Sequence, residues 1–385
     1  MAPRAVTDRV GDENAPARDD GAVAQSPRRS DPVVDTSEEH SAIQESPTVA
    51  AAAALGGATH TSGADRSSVD APGDASDDVH PPTPEIAAPS PVSRETSLPA
   101  ASSAPALEAL ARPAKTRIMT VSNQKGGVGK TTTTVNMAVA LAMRGARVLV
   151  IDLDPQGNAS TGLGIDHPNG TPSTYDVIVD NAELAVVGAN VEIPGVPAGQ
   201  LLCVPATSDL AGAEVELAGV VVGREFRLRK AIDAYVQSRE GEDRVDYVFI
   251  DCPPSLGLLT VNALAAAGEV LIPIQCEYYA LEGLGQLLET IELIRGYVNP
   301  AIVVSTMLLT MYDARTKLAG QVAQEVREHF GDTVMATIIP RSVKVSEAPS
   351  YRQSVMTYDP SSRGALSYLD AARELASRDP KPNTE

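Results

Sequence analysis

Aromatic side chains are missing altogether from the first 115 positions of this 385-residue chain, which hold no Phe, Tyr or Trp. The same stretch is rich in Ala, Pro, Ser, Asp and Gly and carries roughly half of the net charge of -19. Such a segment buries too little apolar surface to offset the entropy of ordering it, so residues 1–115 are expected to form a disordered acidic tail. Long hydrophobic runs are lacking too. No stretch approaches the roughly 20 apolar residues that span a bilayer, no secretory apolar segment is present, and the acidic start is unlike a transit peptide, so a cytoplasmic protein is expected. Cysteine is scarce: Cys203, Cys252 and Cys276 form no C-x-x-C pair, which argues against a disulfide framework and a simple zinc site.

From about residue 116 strand-like apolar runs alternate with helix-length amphipathic segments, the pattern of an α/β fold. Strands are expected at 117–122, 146–152, 202–205, 245–251, 270–274, 301–309 and 334–339, and helices at 131–144, 226–238, 257–266, 280–297, 315–330 and 364–376, the first ended by Gly145. Right-handed crossovers then make a single doubly wound, mostly parallel sheet of seven or eight strands flanked by helices, with ligands at the carboxyl ends of the strands. The expected organisation is a tail over 1–115, one domain over 116–378 and a disordered end over 379–385.

Three motifs sit at strand ends. Asn123-Gln124-Lys125-Gly126-Gly127-Val128-Gly129-Lys130-Thr131-Thr132 lies between the first strand and the first helix. Gly129-Lys130-Thr131 complete the phosphate-loop pattern G-x-x-x-x-G-K-[ST], in which backbone N–H groups cradle phosphates, the lysine reaches the β- and γ-phosphates and the hydroxyl meets Mg²⁺. Gln124 stands in place of the first glycine, and Lys125 adds a second lysine. A lysine so early in the loop points away from its own nucleotide in most geometries; a solvated loop lysine is the plainer reading. Asp152-Leu153-Asp154-Pro155-Gln156-Gly157-Asn158 ends the second strand with two carboxylates facing the same way, suited to organising Mg²⁺ and water beside a triphosphate. Asp251-Cys252-Pro253-Pro254-Ser255 follows a continuously apolar strand, where a phosphate-loop enzyme holds Mg²⁺. Cys252 reads as a small buried side chain rather than a nucleophile.

On these residues the chain resembles the ParA/Soj chromosome- or plasmid-partition ATPases of the deviant phosphate-loop (Walker A) family, to which the MinD division-site proteins also belong. The likeness continues through Gln275-Cys276-Glu277-Tyr278-Tyr279-Ala280-Leu281-Glu282-Gly283-Leu284, Thr310-Met311-Tyr312-Asp313-Ala314-Arg315-Thr316 and Ser346-Glu347-Ala348-Pro349-Ser350, covering residues 117–376. The resemblance implies an ATP- and Mg²⁺-dependent homodimer with two sandwiched nucleotides, Lys125 of each subunit reaching the other's phosphates like an arginine finger. It assigns nucleotide binding to Lys125, Gly126, Gly127, Val128, Gly129, Lys130, Thr131 and Thr132. Catalysis falls to Lys125, Lys130 and Asp154, and Mg²⁺ to Thr131 and Asp251. Glu277 is a weaker candidate for a ribose contact.

The resemblance also implies nonspecific DNA binding in the ATP state and hydrolysis stimulated by a ParB-type centromere-binding partner, in a nucleoid-associated bacterial protein. A pI near 4.7 does not oppose DNA, because the local field at the contact face matters more than net charge. The family pattern places DNA contacts at Arg315 and Lys344, with Arg341 beside them. Here Arg341-Ser342-Val343-Lys344-Val345 replaces the more usual Arg-Asn-Val-Arg-Leu, and a lysine keeps a phosphate contact as a point charge. No aromatic interleaving suggests base readout, so backbone phosphates are the expected target. The basic run Arg224–Lys230 reads as a solvated helix face, with a partner or dimer contact as the alternative. Among other members of the loop class, a MinD-like ATPase or an orphan relative positioning a protein cargo is the alternative reading. Membrane attachment would need an amphipathic C-terminal helix, whereas the sequence after Ala376 is polar and broken by prolines, so no membrane partner is expected.

Overall fold

The runs VLVID (Val148–Asp152) and YVFID (Tyr247–Asp251) stay apolar until their last residue, and both are buried along their whole length. Strands of this kind need cover on both faces, and the sheet supplies it. The computed structural model describes residues 108–277 and 282–378. Most of the expected tail, the end over 379–385 and residues 278–281 of the family stretch lie outside them. The described residues fall within one of the chain's two units, Glu45–Glu385.

Eight strands form one sheet in the order β3-β4-β2-β5-β1-β6-β7-β8. They are β1 (Arg117–Val121), β2 (Val148–Asp152), β3 (Ala189–Asn190), β4 (Leu201–Val204), β5 (Tyr247–Asp251), β6 (Glu269–Gln275), β7 (Val303–Tyr312) and β8 (Val334–Pro340). All pairings are parallel except β3 with β4. From β1 the chain winds outward through β2 to β4, returns to β5, and then winds the other way through β6, β7 and β8. The carboxyl ends of β1, β5 and β2 therefore lie side by side where the winding reverses, with Val121 and Asp152 both in register with Asp251.

Helices fill both faces. They are α1 (Lys130–Ala142), α2 (Asn158–Gly162), α3 (Thr174–Ile178), α4 (Leu184–Val187), α5 (Leu210–Ala218), α6 (Arg227–Gln237), α7 (Leu258–Ala266), α8 (Glu282–Tyr297), α9 (Lys317–Phe330), α10 (Val343–Glu347), α11 (Val355–Tyr358) and α12 (Arg363–Ser377). On one face Met137 and Leu141 of α1 and Tyr368 and Leu375 of α12 join Met119, Val121 and Phe249 in a single core. On the other, α6 and α7 cover β2, β4 and β5, while α8 and α9 cover β6 and β7. Gly145, at φ 92, ends α1 as its sequence position predicts: its N–H and that of Ala146 return to the carbonyls of Ala142 and Leu141.

The expected strands and longer helices are present with ends shifted by a few residues. The segment from 157 to 226 differs most. It contains α2 to α5 and the two-residue β3, none of which was expected, so the strand expected third is the fourth in chain order. Helices of four or five residues are too short for a 3.6-residue period to register, and α5 exposes Val215 on its outer side.

One buried ion pair ties the layers together. Arg117, on β1, meets Glu269 of β6 in a two-pronged contact (Nε–Oε1 2.8 Å, Nη2–Oε2 2.6 Å), while its Nη1 donates to the carbonyls of Leu375 in the last turn of α12 and of Arg378 just after it. Both side chains are 6% exposed. Removing one partner leaves the other charge buried and alone, so Glu269→Ala is expected to lose about 3–5 kcal/mol in urea unfolding, with Arg117→Met/Glu269→Leu retaining most of the stability.

Candidate active site

The turn from β1 into α1 is shaped by backbone and then pinned by side chains. Gly127 and Gly129 take φ of 75 and 89, conformations that admit glycine without strain. Asn123, 2% exposed, donates from Nδ2 to the Pro273 carbonyl of β6 (2.8 Å) and accepts the Lys125 N–H at Oδ1 (3.0 Å). From β7, Thr310 donates to the Val128 carbonyl (2.8 Å). The loop is thus fastened to β6 and β7 as well as to its own strand, and the first turn of α1 points its free N–H groups into a cavity of about 740 Å³. Lining that cavity are Gly126, Gly127, Gly129, Lys130, Thr131 and Thr132 on one side, Asp154 and Pro254 on another, and Met311 and Gln353 on a third. Met311 takes φ 51, a left-handed conformation rare for a long side chain, next to Gly129.

Asp251 ends β5 beneath this loop with no solvent exposure. Its Oδ2 accepts from the Thr131 hydroxyl (2.7 Å) and its Oδ1 from the Thr134 hydroxyl (2.9 Å). Burial first, and the neighbouring Asp152 second, push its carboxyl up to about 8, against the pull of the two hydroxyls. Asp152, also fully buried, is raised to about 6 by burial while hydrogen bonds from Ser160 resist. Lys130 is 7% exposed; burial lowers its ammonium, opposed by Asp251, Cys252 and Asp154. The site therefore concentrates buried carboxyls, whose neutral forms burial favours, beside one nearly buried cation.

The expectation that Asp152 and Asp154 face the same way does not hold. The Asp152 carboxylate turns inward, accepting the Ser160 N–H (2.8 Å) and hydroxyl (2.7 Å) and the Asp154 N–H (3.3 Å). The strand ends at Asp152, so its two-residue alternation no longer governs Asp154, and only Asp154 lines the cavity. Cys252 is buried and its thiol is raised well above its ordinary value by burial, which leaves it inert as a nucleophile.

Lys125 does not line the cavity. Its side chain is 29% exposed, with Nζ 3.9 Å from Glu277 Oε2 at the end of β6. Glu277 is shared: its Oε1 also accepts from Arg341 Nη2 (3.0 Å) and Gln275 Nε2 (2.6 Å). Arg315, Arg341 and Lys344 all lie at the carboxyl ends of β7 and β8, where the Arg341 N–H bonds the Tyr312 carbonyl. Each is exposed and each has a carboxylate partner: Arg315 with Asp313 (2.7 Å), Arg341 with Glu277, Lys344 with Glu347 (3.1 Å). In the basic run, Arg229 and Lys230 are exposed on α6, Arg229 lies 3.8 Å from Asp233, and Leu228 is buried beneath them.

Thr134, Asn123 and Thr310 were not singled out by motif reading as members of this site. Only Thr134 carried a signal, a fourth threonine in the run Thr131–Thr134, three residues after Thr131 and on the same helix face. The paired hydroxyl and carboxylate of Thr131 and Asp251 are a hard-oxygen set suited to Mg²⁺, which is commonly held by one or two carboxylates and the phosphates of its substrate. Among the described residues no three His, Cys, Asp or Glu side chains form a metal cage.

A family described as AAA domain matches residues 116–304. The chain is 50% identical over 260 residues to the sporulation initiation inhibitor protein Soj of Bacillus subtilis, covering 68% of this chain and 98% of that one. It is 49% identical over 263 residues to the chromosome partitioning protein ParA of Caulobacter vibrioides, covering 68% and 95%. Among solved structures it is similar to a cobyrinic acid a,c-diamide synthase from Mycobacterium smegmatis with bound ADP and magnesium, at 36% identity and a TM-score of 0.57, covering 70% of this chain and 99% of that one.

The charge on Asp251 sets a pH dependence. A carboxyl raised on folding binds its proton more tightly in the folded state, so its stabilising effect is complete below the ordinary carboxylate range and is lost as pH rises towards about 8. Asp251→Asn keeps an acceptor for the two threonines without the charge. In divalent-free buffer its melting temperature is expected to gain on that of the native protein progressively between about pH 4 and 8 and to level off above. Parallel melting curves across that range would contradict the assignment.

Proposed function

Because this chain belongs to the Soj and ParA family of chromosome-partitioning proteins, we propose that it is an ATP-driven DNA-partition switch. ATP closes two subunits into a dimer, the dimer holds DNA through backbone phosphates, and hydrolysis, accelerated by a ParB-type centromere-binding partner, releases both. The observation that carries this reading is Lys125, fixed in the phosphate loop by Asn123 yet directed away from the cavity of its own chain.

In this reading the backbone from Gly126 to Thr132 cradles the phosphates and Lys130 reaches the β- and γ-phosphates. Desolvation around Lys130 strengthens its attraction for phosphate, since its charge is screened by little water. Thr131 and Asp251 hold Mg²⁺, which when bound neutralises charge spread over the phosphate oxygens. Asp154, at the cavity wall, orients the attacking water. Lys125 leaves Glu277 for the phosphates of the other subunit and stabilises charge developing on the transferred group.

Arg315, Arg341 and Lys344 form the DNA face. Each is matched by an acid within its own subunit, so the local field of one subunit is weak. Two such patches on one duplex multiply affinity through effective concentration, which makes retention steeply dependent on the ATP-bound dimer. In this reading the ATPase domain spans 116–378, and the protein works at the nucleoid.

Sedimentation with DNA in ATP, ADP and no nucleotide tests the switch, with retention expected in ATP alone; equal retention in all three would sink it. Arg315→Glu is expected to abolish retention while leaving ATP-dependent dimerisation intact, and partial retention would show a salt slope reduced by about one per subunit. Lys125→Ala should bind ATP normally yet lose at least about a hundredfold in stimulated turnover. Unchanged turnover would return Lys125 to the role of a solvated loop residue.

A further inference from the structure

Gly257 occupies the N-cap position of α7 with φ −76 and ψ −172, extended backbone that any residue adopts, so torsion does not explain a glycine there. Space does. A Cβ at position 257 would collide with Oε1 of Glu214 and stand 2.7 Å from its Cδ. The Glu214 carboxylate, projecting from α5, lies where an N-cap side chain would be, and it accepts the backbone N–H of Leu259, the second residue of α7, at 3.3 Å. Gly257 itself provides no capping side chain. Another helix thus supplies the cap, satisfying an orphan donor and placing negative charge against the positive end of α7.

The position of this cap matters more than its strength. Helix α7 follows directly on residues 252–257, the loop that leaves Asp251. Pro254 of that loop lines the cavity, and so does Ala211, which lies almost one turn before Glu214 on α5. Within the loop, Thr260 donates to the Ser255 carbonyl at 2.6 Å, fastening it to the first turn of α7. Glu214 is therefore the hydrogen-bonding side chain that joins two walls of the cavity, one of them continuous with Asp251.

We infer that Glu214 is a positioning residue for hydrolysis: by capping α7 in place of the side chain that Gly257 lacks, it holds the loop after Asp251 in the arrangement the reaction needs. The inference rests on the reading of this cavity as an ATPase site. Phosphate binding by the loop before α1 does not pass through this contact, so loss of the cap should slow turnover without weakening nucleotide binding.

The full-length protein offers a rescue experiment. Glu214→Ala is expected to lower ATP turnover in the presence of DNA by about fivefold, the population weight of one helix cap, with KM and ATP affinity within twofold of the native values. Glu214→Gln, whose amide oxygen still accepts the Leu259 N–H, should stay close to native. In Glu214→Ala/Gly257→Ser the vacated space admits a serine whose own hydroxyl caps α7 at the existing extended backbone angles, so most of the lost turnover should return. Gly257→Ser alone displaces the flexible end of Glu214 but brings its own capping hydroxyl, so its turnover should stay close to native. Native turnover in Glu214→Ala, or a double variant no faster than Glu214→Ala, would overturn the inference. If Glu214→Ala does not fold, Glu214→Ala/Gly257→Ser compared with Glu214→Ala/Gly257→Ala decides it: neither pair has a collision and only the serine caps α7, so equal turnover in the two would overturn the inference. Absence of ATP turnover in the native protein would sink the ATPase reading instead, so the two failures are distinguishable.

Discussion

Asp251 ends the strand between β1 and β2 with no exposure to solvent, and its charge meets two hydroxyls and, farther off, the ammonium of Lys130. A buried carboxylate held so sparsely is costly in an isolated chain. The surrounding geometry makes sense as preparation for a cation. Thr131 is placed by the first turn of α1, Thr134 by the next, and Asp152 is kept in register beside Asp251 by the parallel pairing of β2 with β5. A magnesium ion and the phosphates it accompanies would convert this electrostatic debt into binding energy, so stability and ligand affinity are linked through one group.

The phosphate loop gains its shape from distant residues. Asn123 and Thr310 hold it to β6 and β7, so the strands that lead to the candidate DNA face also position the nucleotide site. Thr310 fixes the loop, Met311 lines the cavity, and four residues later Arg315 stands in solvent. Glu277 offers a second connection, touching Lys125 on one side and Arg341 on the other. These contacts bring the phosphate loop close to the candidate DNA face.

Charge is organised locally in a chain that is acidic overall. Of the cations considered for DNA, Arg315 and Lys344 are balanced by acids two and three residues away, and Arg341 by Glu277 from beyond the end of β6, two strands over. Pairing of this kind weakens long-range attraction while keeping the cations in place.

Much of this protein was legible in its residues alone. Continuous apolar runs identified the buried strands, glycine spacing identified the phosphate loop and the end of α1, and the positions of Asp154, Lys130 and Thr131 at strand and helix ends identified the cavity's walls, with Asp251 buried beneath. These features depend on backbone periodicity and on neighbours a few positions away, which sequence spacing encodes. The short helices between 157 and 226 were not legible, because single turns carry too little periodicity. Nor was the inward turn of Asp152, the anchoring by Asn123 and Thr310, or the cap that Glu214 lends to α7. Each of those depends on which side chain arrives from a remote element and on the space left for it, and only the packed tertiary structure decides that.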